Sequence, residues 1–280
     1  MKYLNVGCGS SFSTKKEWTN LDFICTGDGV IAHNLLDGIP FDNKSFDLVY
    51  HSHVLEHFSK EEGENLIKEC FRVLKPGGLI RIAVPDLEII ARNYLKYLEH
   101  GIKNPINEVI TKNYEWTLLE MYDQTVRNVS GGNMAKYLFQ DIITNEAFVF
   151  ERNGEEAKSL RKNYWEAKQN KTKNNSTYIA TKTSVVSIPW LKMKVKEYLL
   201  KKLHVDLTAL QIGKFRLSGE IHQWMYDRFS LSKLLQDNGG KNIQVQDAFT
   251  SFYSNWGELN IDGKDGLVRK PDSLFMEAIK

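Results

Sequence analysis

The sequence predicts an α/β protein: a doubly wound, mostly parallel sheet with a large helical insertion after the fifth strand. Three observations carry this. A short apolar run, Tyr3 to Val6, breaks into Gly7-Cys8-Gly9, as a buried strand does when it ends in a turn that passes close to a ligand. Strand-like runs then alternate with turns or helical segments as far as Val84. Asp22, Asn34, His51 and Asp86 fall at the carboxyl ends of those runs, the edge where open parallel sheets bind ligands.

Composition narrows the classes. A chain of 280 residues, 42% hydrophobic and 26% charged, can bury a substantial core. A net charge of +2 supplies no global field of the kind nucleic-acid binders use, so no nucleic-acid partner is expected. No apolar run approaches about 18 residues, so no integral membrane association is expected. Met1-Lys2-Tyr3 leads straight into the first strand without room for a signal peptide. Cys8, Cys25 and Cys70 are few and irregularly spaced, as reduced thiols in a cytoplasmic protein would be.

The elements follow in order. After the glycine turn, Ser11 to Glu17 is too short and polar for a full helix. Trp18 to Phe23 reads as the second strand, and a carboxylate at its end, Asp22, can accept both hydroxyls of a ribose. Gly29 to Ala32 is the third strand; His33-Asn34-Leu35-Leu36 follows where side chains could flank an adenine ring. Phe46 to Tyr50 is the fourth, running into His51-Ser52-His53-Val54-Leu55-Glu56-His57. Ser59 and Glu62 form a capping box for a helix whose apolar positions Leu66, Ile67, Cys70, Phe71 and Leu74 share a face. Pro76-Gly77-Gly78 ends it, Leu79 to Val84 is the fifth strand, and Asp86 caps a helix from Leu87 to Glu99.

These residues carry a resemblance. Val6-Gly7-Cys8-Gly9, Leu21-Asp22, Ile39-Pro40-Phe41, Phe46-Asp47-Leu48-Val49, Val54-Leu55-Glu56-His57 and Arg72-Val73-Leu74-Lys75-Pro76-Gly77-Gly78 stand in the order and spacing of class I S-adenosylmethionine-dependent methyltransferases. The chain most resembles the small bacterial branch linked to surface-glycan or secondary-metabolite pathways. The resemblance implies a Rossmann-like sheet of seven strands with the last antiparallel, and S-adenosylmethionine as cofactor. It implies that Gly7 and Gly9 approach the methionine part of the cofactor and that Asp22 holds the ribose. Asn5, Cys8, Phe23, Asn34, Leu35, His51 and His57 complete the implied cofactor side. The chain departs from the family in its curtailed first helix, in the missing helix after strand two, and in Asn34, where relatives usually carry Asp. An Asn carbonyl can still accept from an adenine amino group.

The three neighbouring histidines invite a metal reading, but no cysteine or carboxylate is obviously placed to close a tetrahedral site, and no metal is expected. A general base is the alternative, with His51, His53 and the distant His222 as candidates and His51 best placed at the end of strand four.

Strands six and seven arrive only at Ile243 to Gln246 and Ser273 to Ile279, after a short helix from Ser230 to Asn238. Residues 1–100 and 229–280 therefore read as the cofactor-binding core, and 101–228 as a helical lid and substrate insertion. Within it, Tyr114 to Phe139 reads as helix with a break at Gly131-Gly132, and Tyr122, Asp123 and Arg127 are substrate candidates; an exposed ion pair is the plainer account of the last two. Trp224, Tyr226 and Asp227 are further candidates, because aromatic faces beside hydrogen-bonding groups suit a sugar or polyol site. Lys168 to Lys182 reads as a polar mobile loop, and Trp190 to Leu203 as a basic amphipathic helix, either a lid helix with a solvated lysine face or one that touches a membrane or an acidic partner. The loop Ala248 to Asp272, carrying Tyr253, Trp256, Asp262 and Arg269, is expected at the ligand edge.

The leading function is transfer of a methyl group to a sugar or other small polar acceptor. A non-catalytic protein that keeps the fold is the competitor. A nicotinamide dehydrogenase is disfavoured, since the turn lacks the G-x-G-x-x-G spacing and the helix that would hold a pyrophosphate.

Overall fold

The structure, a computed structural model, describes residues 1–175 and 206–280. Its centre is a seven-stranded sheet in the order β3-β2-β1-β4-β5-β9-β6. The strands are β1 (Tyr3–Val6), β2 (Trp18–Asp22), β3 (Val30–Ala32), β4 (Phe46–Ser52), β5 (Leu74–Pro85), β6 (Lys241–Gln246) and β9 (Ser273–Ile279). The first five run parallel, and β9 is antiparallel to both β5 and β6. Strand order reverses between β1 and β4, so the glycine turn after β1 and the His51 segment after β4 emerge side by side. Fold class and strand count match the sequence reading.

One face is packed in the regular way. Helix α1 (Lys60–Val73) starts at the expected capping box: Ser59 Oγ accepts from Glu62 N, and Glu62 Oε2 accepts from Ser59 N at 2.9 Å. It lays Leu66, Ile67, Cys70 and Phe71 on Leu4, Val6, Val49, Ile80 and Ile82 of the sheet. Each such buried aliphatic side chain contributes roughly 1.5–3 kcal/mol. A later helix, α7 (Arg228–Asp237), adds Leu231, Leu234 and Leu235. It begins two residues earlier than expected because Asp227, not Ser230, is its cap.

The other face lacks the helices that would follow β1 and β2; residues 7–17 and 23–29 are turns and bends. The chain between β6 and β9 covers it instead. Trp256, on the short helix α8 (Trp256–Leu259), is 2% exposed and packs with Tyr3, Trp18, Leu48 and Tyr50. A two-stranded hairpin, β7 (Gly263–Lys264) with β8 (Leu267–Val268), completes this cover. Beneath it, the buried Arg81 donates to Asp262 at 2.7 Å, to Glu277 at 2.9 Å and to two backbone carbonyls. Tyr50 Oη donates to the same Asp262 at 2.6 Å. Trp256 and Asp262 therefore hold the back of the sheet, a correction to the expectation that this loop brings them to the ligand edge.

Strand β5 also differs from its expected start. Leu74 already pairs with Phe46, and the register slips before Leu48 pairs with Leu79, so Lys75 to Gly78 forms an irregular stretch within the strand. Gly78 is required there, since a Cβ would lie 2.9 Å from the Lys75 carbonyl.

The inserted region contains α2 (Leu87–Lys103), α3 (Glu108–Val126), α4 (Gly132–Leu138), α5 (Glu146–Asn175), kinked at Gly154, and α6 (Leu207–Arg216). It has an apolar cluster of its own around Trp116, Tyr137, Leu138, Ile143 and Val149. The polar stretch expected as a loop from Lys168 is helical as far as Asn175, because it continues α5. The remainder of that stretch, and the basic segment Trp190 to Leu203, lie outside the described residues. No helix among the described residues is long and apolar enough to cross a membrane.

Candidate active site

The glycine turn is built from β1 and β2 together. The N–H groups of Gly7 and Cys8 both donate to the Leu21 carbonyl, and Gly9 N donates to Asp22 Oδ2 at 2.7 Å. Gly7 and Gly9 have φ of 64° and 55°. Their reasons differ. A Cβ on Gly7 would lie 2.4 Å from Val54 Cγ2, so packing alone demands glycine there. Beside Gly9 that space is open to at least 4 Å. Asp22 Oδ1 accepts only a long bond from Ile24 N, 3.4 Å, and keeps its capacity for hydroxyl donors. Asn34 uses Oδ1 to cap the turn Leu35–Asp37, accepting from Leu36 N at 3.2 Å, which leaves a second lone pair on that oxygen. Phe23 is 69% exposed at the same edge. An open cradle at Gly9, a carboxylate with spare acceptor capacity and an exposed aromatic face fit an adenosine group with a short tail.

Two residues expected on the cofactor side are structural. Asn5 is buried and donates to the Ser11 carbonyl. Cys8 is buried, and burial, followed by the Asp22 charge, pushes its thiol up to about 11, so it stays protonated.

The segment after β4 forms the second part. His53 adopts φ of 55°, a left-handed conformation uncommon for a side chain of this size. Its Nε2 lies 2.7 Å from Ser273 Oγ and its Nδ1 lies 3.3 Å from Glu56 Oε1. Glu56 is fully buried, and neither carboxylate oxygen has a hydrogen-bond partner among the described residues. Burial pushes this carboxyl up, but His53, His222 and His57 outweigh it and hold it down at about 2. Gln223 N donates to the Glu56 carbonyl at 2.7 Å and His222 N to the Gln124 carbonyl at 2.9 Å. The return of the insert is thereby stitched across the site, with the imidazole of His222 edge-on to His57 at 4.9 Å between ring centres. Burial pulls His222 down to about 3, so it is a neutral imidazole at pH 7. His57 Nδ1 donates to the Ile221 carbonyl at 3.1 Å. Glu56, His57 and His222 each present one ligating atom, all within 4.8 Å of one another. The carboxylate that the sequence did not obviously supply is thus in place.

A cavity of about 490 Å³ opens beside this group, between the sheet edge and the insert. His53, Glu56, His57 and His222 line one side; Gln124, Arg127, Met134, Asn153 and Glu156 come from the insert, and Lys270 and Asp272 from the loop before β9. Arg127 is there, held by Glu220 through the backbone carbonyl at 2.8 Å and the carboxylate at 3.2 Å.

Other predicted residues lie elsewhere. His51 is 0% exposed inside β4, does not line the cavity, and has no partner on either ring nitrogen; burial pulls it down to about 4. A base must reach its proton, so the structure does not support His51 in that role. Asp123 is buried and caps α4, accepting from Asn133 N and Met134 N, and it makes no pair with Arg127. Tyr122 is exposed away from the cavity. Trp224, half-exposed under Lys60, and Tyr226, packed into the main core, line a separate cavity of about 430 Å³ rather than this one, and Asp227 caps α7. These corrections share a cause: helix periodicity and local composition do not say which way a chain returning from an insert faces. Glu56, Glu156, Lys270 and Asp272 escaped the sequence reading. Glu56 did leave a signal, an acid enclosed by Val54 and Leu55 ahead of His57.

The sheet order, reversed beside a glycine turn with an acid ending the next strand, is that of the class I S-adenosylmethionine-dependent methyltransferase fold, whose cofactor is S-adenosylmethionine. Residues 25–82 match the family model described as a methyltransferase domain. A stretch of 56 residues is 36% identical to a probable S-adenosylmethionine-dependent methyltransferase of Mycolicibacterium smegmatis, covering 20% of this chain and 21% of that protein. Among solved structures, a SAM-dependent methyltransferase from Archaeoglobus fulgidus aligns over 100% of this chain and 86% of its own, at 12% identity and a TM-score of 0.37. A possible histamine N-methyltransferase from Thermotoga maritima aligns over 100% and 82%, at 9% identity and a TM-score of 0.40. Likenesses this loose add nothing to the fold, which rests on the sheet itself. The family match takes in the His51 to His57 segment but begins after Asp22.

Proposed function

We propose that this protein methylates a hydroxyl of a sugar or another small polar acceptor, with S-adenosylmethionine as donor and the cavity under the insert as the acceptor site. The observation that carries the reading is that two half-sites follow neighbouring strands, with Val54 packed against Gly7 between them: an adenosine-fitting edge at Gly9 and Asp22, and a polar cavity walled by Glu56, His57, His222 and the insert. Gly7, Gly9, Asp22 and Asn34 would hold the cofactor, which when bound supplies a methyl group already activated on a sulfonium.

The chain's own task is to align the acceptor, exclude water and accept a proton. The insert covers the cavity, and Gln124, Arg127, Glu156, Lys270 and Asp272 offer donors and acceptors of both charges, as a polyhydroxylated ligand requires. His53 has both nitrogens engaged and serves to position Glu56. The group of Glu56, His57 and His222 sits where an acceptor hydroxyl would shed its proton. A surface-glycan or secondary-metabolite pathway is the setting this acceptor chemistry suits.

The test is calorimetric titration with S-adenosylmethionine. Wild-type protein should bind it, and Asp22→Ala should weaken binding at least about tenfold, since charge-assisted hydrogen bonds contribute roughly 1.5–3 kcal/mol each. Unchanged affinity in that variant would remove Asp22 from the site. Host extract incubated with methyl-labelled cofactor should yield a labelled polar metabolite by mass spectrometry; tight cofactor binding without any labelled product would favour the non-catalytic reading.

A further inference from the structure

We propose that Glu56, His57 and His222 bind a first-row divalent transition cation, such as zinc, manganese, cobalt or nickel, at the base of the acceptor cavity. This rests on the reading of that cavity as the acceptor site. Two independent observations lead to it. The first is geometric: one carboxylate oxygen and two imidazole nitrogens lie within 4.8 Å of one another, near the separations of ligands that share one ion at about 2.1 Å each. The second is the state of those atoms. Glu56 is 0% exposed, its Oε1 meets only His53 at 3.3 Å and its Oε2 has no partner among the described residues, and His222 is 5% exposed with no partner for Nδ1 among them. A buried carboxylate with so little polar company is costly, and a cation supplies what the surrounding protein does not.

The groups around the three ligands also suit a metal. The bond from His57 Nδ1 to the Ile221 carbonyl fixes the orientation of the ring. His53, itself anchored on Ser273, stands 3.3 Å from Glu56 Oε1 and orients the carboxylate. Two imidazoles and one carboxylate favour a transition cation over magnesium or calcium, which prefer oxygen ligands. Three protein ligands leave coordination positions for substrate, and the cavity lies beside them. A hydroxyl oxygen bound there would lose its proton more readily, the step that methylation of an alcohol needs.

The experiment uses full-length protein stripped with chelator and titrated with Zn²⁺, Mn²⁺, Co²⁺ or Ni²⁺ alone. Binding is followed by calorimetry and by the visible absorption of the Co²⁺ form. One equivalent should bind saturably, and Glu56→Gln and His222→Ala should each weaken binding at least about tenfold. Absence of saturable binding of all four ions to the wild-type protein would overturn the site, and this outcome does not depend on how the variants fold. Binding that persists unchanged in both variants would overturn it equally. Cofactor titration of the same stripped protein separates the two readings: metal binding without cofactor binding removes the methyltransferase function, and cofactor binding without metal binding removes only the metal site.

Discussion

Two buried charged clusters flank the same sheet, and they are finished in different ways. On the back face, Arg81 is enclosed by Asp262, Glu277 and the carbonyls of Asp247 and Thr250, with Trp256 stacked 4.3 Å from its guanidinium. At the ligand edge, Glu56 is equally buried, yet beyond the 3.3 Å approach of His53 Nδ1 to Oε1 its oxygens have no partner among the described residues. A closed network holds structure together; an open one keeps polar capacity for something that arrives later. The difference separates the scaffold from the candidate site more clearly than residue type does, since both clusters are made of acids and bases at the ends or backs of strands.

That contrast can be broken by mutation. Arg81→Met should cost the most, about 3–5 kcal/mol in urea denaturation, because it leaves Asp262 and Glu277 buried without their counter-charge. A loss under about 1 kcal/mol would mean that the back-face cluster is not what pins residues 247–272 to the sheet. The next effect concerns pH. His51 has its folded value pulled from 6.5 to about 4, so between those values the unfolded chain binds more protons than the folded one. Stability from this residue is complete above 6.5 and lost as pH falls toward 4, by roughly 3 kcal/mol at about 1.4 kcal/mol per unit. His51→Leu should remove that part of the acid limb in denaturation curves taken from pH 7 to pH 4; an unaltered limb would show that the imidazole is not buried neutral. The third change is Glu56→Gln, expected to destabilise at pH 7 but by less than Arg81→Met, because the amide keeps the shape while His53 and the neighbouring imidazoles lose the carboxylate charge. Destabilisation as large as that of Arg81→Met would show the two clusters to be alike and end the comparison.

Legibility followed the range of the interactions. The capping box at Ser59, the helix cap at Asp86, the strand ending in Gly7-Cys8-Gly9 and the final strand Ser273 to Ile279 all rest on contacts a few residues apart or on simple periodicity, and all are found where the sequence places them. The missing helices after β1 and β2 were legible for the same reason, as segments too short and polar to form them. The acceptor side was read poorly. Asp123, Trp224, Tyr226 and Asp227 have the composition of a site but serve as caps, core and outer surface. Their directions depend on how some 130 inserted residues fold back, which no local pattern encodes.

The sequence by itself therefore determined the doubly wound sheet and the edge at which its strands end, because parallel topology sends every strand end to one side. Tertiary structure alone decided the rest. It brought His222 across more than 160 residues to His57, and it enclosed Glu56 beside both with Oε2 unpartnered among the described residues. The middle of loop 247–272 went to the back of the sheet because the absent helices left Tyr3, Trp18, Leu48 and Tyr50 to be covered, and Trp256 with Asp262 covers them, while Lys270 and Asp272 return to the cavity. Burial and the pairing of distant charges are properties of the closed fold, and they appear only once the chain has returned on itself.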